Sequence, residues 1–487
     1  METRAFYAAT EDTLTLWWDQ PEDLDGPAVY RAELDGETQE LTRTHCMFTG
    51  LQPERVYTAR IYRGERLLWQ LEAKTGAAPE RIDLTKPPYC AVGDGVTKNT
   101  AALQRALDAC RAGQELVLPA GVYRTGALRL HSGCRLRLMK DAVLLGTADP
   151  DDYLPKLRSR FEGAEQDCYQ SLLNLGTLNH AEGPNCRDIL LCGEGTIRGG
   201  GKALCDAIIA REKELLGLPA DGEPYESADT VPGRARGRLI QLSNCENVRI
   251  TGLNLEEGAS WNVHMIYSKN IVTDHCFFRS EGIWNGDGWD PDSSEDCTLF
   301  ACTFRTGDDS VAIKSGKNPE GNRINRPTRR VRIFDCLSLF GMGLAIGSEM
   351  SGGVEDVRIW DCDFRNSLYG VQIKATKKRG GYVRRITVRD CVLARFIVQA
   401  VPYNDDGEGS DTPPILSDYL GERLRLTGWT HNYWETEDHA VPPIEIGGFD
   451  VPGYEVQNVT LRDCVIDGGD LRLHNCRGLH LSLAAEG

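Results

Sequence analysis

A mainly β fold, a parallel β-helix preceded by a small β-sandwich, is what this 487-residue sequence predicts, and three observations carry it. Cysteine recurs in one setting, at Cys276, Cys302, Cys336, Cys362, Cys391 and Cys464. Those from Cys276 to Cys391 fall 26 to 34 residues apart. Alternating apolar segments such as Val331-Arg332-Ile333, Val357-Arg358-Ile359 and Ile386-Thr387-Val388 precede them. Repeats of that length, built from short strands with no helical period between them, mark a solenoid whose successive coils stack like residues on one another. Cysteine suits such a stack as a small, buried hydrophobe. The third observation is a pair of Gly-flanked acidic turns, Asn285-Gly286-Asp287-Gly288-Trp289-Asp290 and Gly307-Asp308-Asp309, whose aspartates lie 21 residues apart. That is about one coil, so the turns are expected side by side.

Taken in order, residues 1–76 read as a domain of their own. Leu14-Thr15-Leu16-Trp17-Trp18 and Tyr57-Thr58-Ala59-Arg60-Ile61-Tyr62 alternate as antiparallel strands do. Gly50-Leu51-Gln52-Pro53-Glu54-Arg55-Val56-Tyr57 resembles the tyrosine-corner segment of fibronectin type III domains, with Trp17 or Trp18 as the expected core tryptophan. Thr75-Gly76-Ala77-Ala78-Pro79 reads as a linker, and residues 77–487 as the solenoid. Within it Ala101 to Cys110 is helix-like, Cys297 to Phe304 and Val311 to Ile313 read as strands, and two long excursions interrupt the coils. One runs from about Ala203 to Arg236 and contains a helical run, Ala207 to Leu216. The other runs from Tyr403 to about Asp450. Long excursions from a solenoid sit over its functional face or close its ends.

The formal charge of −17, from 72 acidic and 55 basic residues, excludes nucleic acid as the expected partner. No run is long and apolar enough to span a bilayer, so no membrane is expected, and Met-Glu-Thr-Arg-Ala-Phe-Tyr lacks a secretory core. The expected location is cytoplasmic. Seventeen cysteines, an odd number, then read as reduced thiols. Neither Cys-x-x-Cys nor His-Glu-x-x-His occurs, and no metal or other cofactor is expected.

Three carboxylates on short turns, Asp287, Asp308 and Asp309, are the minimum apparatus for cleaving a glycosidic bond. One carboxyl protonates the leaving oxygen while another draws a proton from water. Packing three together penalises full ionisation, so one can stay protonated near neutral pH. The residues themselves leave open which one. Trp284 and Trp289 flank Asp287, and either can offer its face to a sugar ring or pack inside a coil. His264, beside an apolar run, is either a cleft residue or a satisfied core histidine.

Ala91-Val92-Gly93-Asp94-Gly95-Val96-Thr97-Lys98-Asn99-Thr100, with the helix and Leu116 to Tyr123 after it, resembles the entrance of a pectin-lyase-type β-helix. Trp261-Asn262-Val263-His264, Asn285-Gly286-Asp287-Gly288, Gly307-Asp308-Asp309 and Ile346-Gly347-Ser348-Glu349-Met350-Ser351-Gly352-Gly353-Val354 resemble polygalacturonases of glycoside hydrolase family 28, above all the bacterial exo-acting ones. The resemblance runs from about residue 80 onward. It implies a right-handed parallel β-helix and an inverting, metal-free hydrolase. Asp308 would be the general acid, and Asp287 and Asp309 would activate water, with acid and base roughly 6.5–9.5 Å apart.

The pattern departs from the family at two positions. Met342 stands where a histidine is usual, and Gln372 stands where an arginine normally precedes Lys374. Glutamine cannot make the planar bidentate grip that arginine gives a carboxylate. The substrate implied is therefore a pectic oligosaccharide ending in galacturonic acid, held by Lys374 and the Lys377-Lys378-Arg379 cluster, or a different, non-uronate plant glycoside. His264, Asn285, Trp289, Met342, Gln372, Lys374 and Lys378 are the expected binding residues. A calcium-assisted lyase and a non-catalytic carbohydrate-binding β-helix are the competing classes. The N-terminal domain would support a homo-oligomer, cover one end of the solenoid or bind glycan.

Overall fold

The structure, a computed structural model, describes residues 4–23, 28–219, 231–403, 405–430 and 438–485. Parts of both long excursions, residues 220–230, 404 and 431–437, thus lie outside the described residues, as do Met1 to Thr3 of the N-terminus. The chain divides into two compact units, Met1–Ile82 with Arg111–Glu115, and Asp83–Cys110 with Leu116–Gly487.

In the first unit, Ala5–Ala9, Thr13–Trp18 and His45–Thr49 form one antiparallel sheet. Glu37–Leu41, Tyr30–Leu34, Val56–Arg63 and Arg66–Lys74 form another. Alternate residues of these strands, among them Leu14, Leu16, Trp18, Tyr30, Ala32, Phe48 and Ile61, make one buried cluster. Trp18 meets Tyr30 edge-on at 5.4 Å between ring centroids. The Tyr57 hydroxyl accepts from the Gln52 backbone N–H at 2.8 Å, closing the corner that the Leu-x-Pro-x-x-x-Tyr pattern anticipates.

The second unit is the expected right-handed parallel β-helix. The helix Thr100–Ala109 buries Leu103, Ala106 and Leu107 near its start. Eleven parallel strands, from Leu128–Leu130 to Arg472–His474, form one sheet among the described residues. Side chains alternate across a strand, and the register keeps each face in line. Val263 pairs with Trp289, Trp289 with Val311, Val311 with Leu344 and Leu344 with Val371, and all five are buried. The opposite parity carries polar groups: His264 beside Asp290, Asp292 beside Lys314, Ala345 beside Gln372. Trp289 is thus a core residue, fully buried with its indole Nε1 donating to Thr273 Oγ1 at 3.0 Å. The expectation that it faces a sugar is overturned by strand parity.

The recurrent cysteines mark the corners of the coils. The residues preceding Cys276, Cys302, Cys336, Cys362, Cys391 and Cys464 are His275, Ala301, Asp335, Asp361, Asp390 and Asp463, and each has a left-handed φ between 49° and 55°. Aspartate tolerates that conformation because its short polar side chain bonds locally. The thiol after it turns inward and donates to the carbonyl two residues back, at 3.3 Å for Cys276, 3.2 Å for Cys302 and 3.1 Å for Cys391. Asp-Cys is therefore a corner motif in which one residue bends the chain and the next fills the bend. One such corner corrects a sequence expectation. The run Cys297 to Phe304 is two strands, Glu295–Phe300 and Thr303–Arg305, broken at Ala301. Outside the corners rings stack coil on coil, with Phe300 to Phe334 at 4.9 Å and Phe334 to Trp360 at 4.4 Å.

Candidate active site

The two acidic turns lead into neighbouring strands of the eleven-stranded sheet, Trp289–Asp292 and Asp309–Ile313. Gly288 N–H donates to the Asp309 carbonyl at 2.9 Å, which holds the turns one coil apart. At Gly288 a Cβ would come within 2.5 Å of the Ser310 carbonyl oxygen, so only glycine allows that approach. Asp287, Asp308 and Asp309 consequently line one cleft of about 280 Å³, with Asn285, Met342 and Lys374 among the other walls.

Two lysines organise the carboxylates. Lys314 Nζ, buried, lies 2.8 Å from Asp287 Oδ2 and 3.4 Å from Asp290 Oδ2, and sits 3.9 Å above the centre of the Trp261 ring. Lys374 Nζ lies 3.3 Å from Asp309 Oδ2. Each pairing leaves an oxygen over: Oδ1 of Asp287 and Oδ1 of Asp309 are buried and have no hydrogen-bond partner among the described residues. Two unsatisfied acceptors on residues that line one cleft are what a polarised water needs. Among the described residues no cation lies within salt-bridge distance of Asp308, whose Oδ1 accepts from the Asp309 N–H at 3.0 Å.

Ionisation separates the carboxyls accordingly. Burial pushes Asp287 up to about 6, with Lys314 pulling against it and the charge of Asp309 adding to it. Burial, then the charges of Asp287 and Asp309, lift Asp308 well above the carboxylate range. Asp308 is thus displaced further toward its protonated form than Asp287, and the two carboxyls of one cleft are set apart. Burial drives the Lys314 ammonium down, but Asp287 and Asp290 outweigh it and keep the group charged.

Four of the expected binding residues lie elsewhere. His264 is fully buried, edge-on to Trp261 at 4.7 Å, with Nε2 3.5 Å from Asp292 Oδ2. Burial drives its pKa down to about 3, so it is a neutral core ring and not a sugar contact. Trp289 is core, as described above. Gln372 is buried between Ala345 and Ile397 in the register of the sheet and is not among the residues that line the cleft. Lys378 is exposed and outside the cleft, as is Lys377, while Arg379 is buried and spent on Asn318 Oδ1 at 2.5 Å and the Ser348 carbonyl at 3.1 Å. The basic cluster braces a turn; it does not grip a ligand in the cleft.

Other lining residues escaped the sequence reading: Lys314, Glu162, Glu349, Trp261, Tyr369 and Tyr403. Lys314 was legible in principle, because it stands at the outward parity of its strand, three residues after Val311. Glu162 sits at the tip of a hairpin, Leu157–Phe161 with Ala164–Cys168, whose two-residue Glu162-Gly163 turn has positive φ throughout. X-Gly between alternating runs is the hairpin signal that pointed to it. Arg234 Nε holds the Glu162 carboxylate at 2.6 Å. Arg234 and Arg236 come from the end of the first excursion, and Arg236 Nη2 donates to Asn285 Oδ1 at 2.6 Å. Tyr403 comes from the start of the second.

A parallel β-helix with three aspartates and two lysines in one cleft is the class these features define. Residues 189–406 match the family model for glycosyl hydrolases family 28. The chain is 35% identical over 319 residues to a probable polygalacturonase of Vitis vinifera, spanning 62% of this chain and 59% of that one. It is 28% identical over 352 residues to an exo-poly-alpha-D-galacturonosidase of Dickeya chrysanthemi, spanning 67% and 57%. It thus spans somewhat less than three fifths of the length of these curated relatives. Among solved structures, a family 28 exopolygalacturonase of Yersinia enterocolitica superimposes over 100% of this chain and 98% of its own, with TM-score 0.77 and 20% identity. A hyperthermoactive exopolygalacturonase of Thermotoga maritima gives TM-score 0.67 at 25% identity, over 84% of this chain and 90% of that one. The first likeness covers the N-terminal unit as well as the solenoid.

Proposed function

We propose that the protein is an inverting glycoside hydrolase that removes galacturonic acid from the end of a pectic oligosaccharide. Asp308 protonates the glycosidic oxygen. Asp287 and Asp309 accept from the attacking water, with Lys314 beside the first and Lys374 beside the second. The observation that carries this reading is the split of the three aspartates: among the described residues Asp287 and Asp309 each have a lysine within salt-bridge distance and Asp308 has none. Exo action is supported by the small cleft, which is at the low end of ligand pockets (about 300–1,000 Å³), and by the names of the Dickeya, Yersinia and Thermotoga relatives.

Following the first product by NMR tests the stereochemistry. The anomer opposite to that of the substrate linkage is expected; the starting anomer would contradict inversion, and mid-chain fragments at the earliest times would contradict exo action. The pH profile is a further expected outcome. Water activation needs ionised Asp287, so kcat/KM falls as pH drops through about 6. Activity holds on the alkaline side until Asp308, raised well above the carboxylate range, gives up its proton. A rate that stays flat down to pH 4 would contradict the assignment of Asp287.

One observation favours a second reading, a non-uronate plant glycoside as substrate. Glu162, Asp287, Asp308, Asp309 and Glu349 line the cleft against only Lys314 and Lys374, and each lysine is already paired with an aspartate. A uronate carboxylate finds no uncommitted cation there among the described residues. Comparing kcat/KM on oligogalacturonides and on neutral pectic oligosaccharides separates the two.

A further inference from the structure

A second cleft, of about 310 Å³, is lined by Leu339, Arg365, Asn366, Thr427, Trp429 and Asp438, none of which lines the catalytic cleft. The wall between the two clefts is built of two knitted turns. Leu368 N–H donates to the Gly341 carbonyl and Tyr369 N–H to that of Met342, both at 3.0 Å. Met342 and Tyr369 face the catalytic side, while Leu339, Arg365 and Asn366, from the same connections, line the other. Leu337–Phe340 and Asp363–Phe364, the strands that carry this side, belong to the long sheet and not to the eleven-stranded one. The second cleft is therefore no extension of the catalytic floor.

Its components have the chemistry of sugar binding. Trp429 is 54% exposed, although the short strand it begins is fixed. Thr430, next to it, is buried and donates its hydroxyl to the Leu368 carbonyl at 2.9 Å, and Trp429 itself pairs with Ala440. A large apolar face held rigidly at a cleft mouth is a platform for the C–H face of a pyranose. Around it stand a primary amide, a hydroxyl, a carboxylate and a guanidinium, the groups that hydrogen-bond vicinal ring hydroxyls. Arg365 is pre-oriented, because Asp363 takes its Nε at 2.9 Å and its Nη2 at 2.9 Å. That pairing also offsets its charge. Among the described lining residues that leaves no cation uncommitted for an incoming uronate, whereas a neutral ring needs none.

We propose that this cleft is a second, non-catalytic saccharide site that takes a neutral pyranose, with Trp429 as the stacking surface and Asn366 and Thr427 as the hydroxyl partners. It would hold the protein on the neutral side chains of a mixed polysaccharide while the other cleft works on a chain end. The site stands whether or not the catalytic assignment does, because its readout is binding and not turnover.

The test is affinity electrophoresis of the full chain, in an Asp308→Asn background that prevents digestion, through gels containing soluble β-galactan or polygalacturonate. The galactan gel is expected to retard the parent. Trp429→Ala and Asn366→Ala are each expected to weaken that retardation, Trp429→Ala by about tenfold in apparent Kd. In the otherwise unchanged enzyme, both should leave kcat/KM on short oligogalacturonides as it was. A parent that galactan does not retard would overturn the proposal. So would either variant running with the parent, or a loss confined to the polygalacturonate gel. Circular dichroism melts check folding, and Asn366→Ala carries the test if Trp429→Ala alone melts early.

Discussion

Asp308→Asn is expected to lower kcat by roughly 10²–10⁴-fold, the usual worth of a positioned general acid, with little change in KM or in melting temperature. The amide keeps the shape of the carboxyl and can still accept from the Asp309 N–H, so the turn is not disturbed. What it cannot do is deliver a proton to a leaving oxygen. The replacement also removes a group that burial and two neighbouring charges keep protonated, so Asp287 loses no stabilising partner. Initial rates of reducing-end release measure the effect. A variant with near-parental kcat would remove Asp308 from the mechanism, and a parent that binds oligosaccharide without turnover would place the protein among non-catalytic binders.

The second large effect falls on a residue whose role is to hold the base. Lys314→Met keeps most of the side-chain volume but strips the only ammonium within salt-bridge distance of Asp287 and Asp290 among the described residues. Breaking a buried pair by removing one member costs about 3–5 kcal/mol, because the remaining charge is left desolvated. The expected result is a clear drop in the midpoint of urea unfolding at neutral pH. Its sign with pH is fixed. Asp287, already raised to about 6, rises further without the cation, and the variant recovers part of its stability as pH falls and Asp287 takes up a proton. The acid limb of any residual activity shifts to higher pH for the same reason. A variant as stable as the parent, with an unmoved acid limb, would show that Lys314 does not govern Asp287.

Much of this architecture was legible in the sequence because a solenoid repeats its own rules. The spacing of Cys276, Cys302, Cys336, Cys362 and Cys391 gave the coil length, and coil length alone argued that Asp287 and Asp309 would be neighbours. The Gly288 to Asp309 hydrogen bond realises that neighbourhood. What the sequence withheld was parity. Trp289 and Lys314 both stand beside the acidic turns, yet one faces inward and the other outward, and a shift of one residue in a strand exchanges them. Placing each needed the register, which no single strand discloses. His264 failed for a related reason: it has the outward parity of a cleft residue, but the hairpin carrying Phe161 and Arg160 covers that part of the sheet. Arg160 Nη1, 2.7 Å from Asp292 Oδ1, comes from 132 residues away in sequence. Such a lid leaves no local signal at the histidine. Lys378 failed because charge in a sequence says nothing about which way a turn projects.

The corner thiols carry a practical consequence. All 17 cysteines are thiols and none is in a disulfide; Cys90 is exposed, Cys476 half-buried and the other 15 buried. A corner thiol can meet a reagent only when its bend opens, and burial further disfavours the thiolate at Cys302, Cys336 and Cys391. Alkylation followed by peptide mass mapping thus becomes a coil-by-coil gauge of local unfolding, written into the protein by its own turns. Cys90 sets the rate of an unhindered thiol. The order in which Cys276 through Cys464 become labelled reports the end from which the solenoid comes apart.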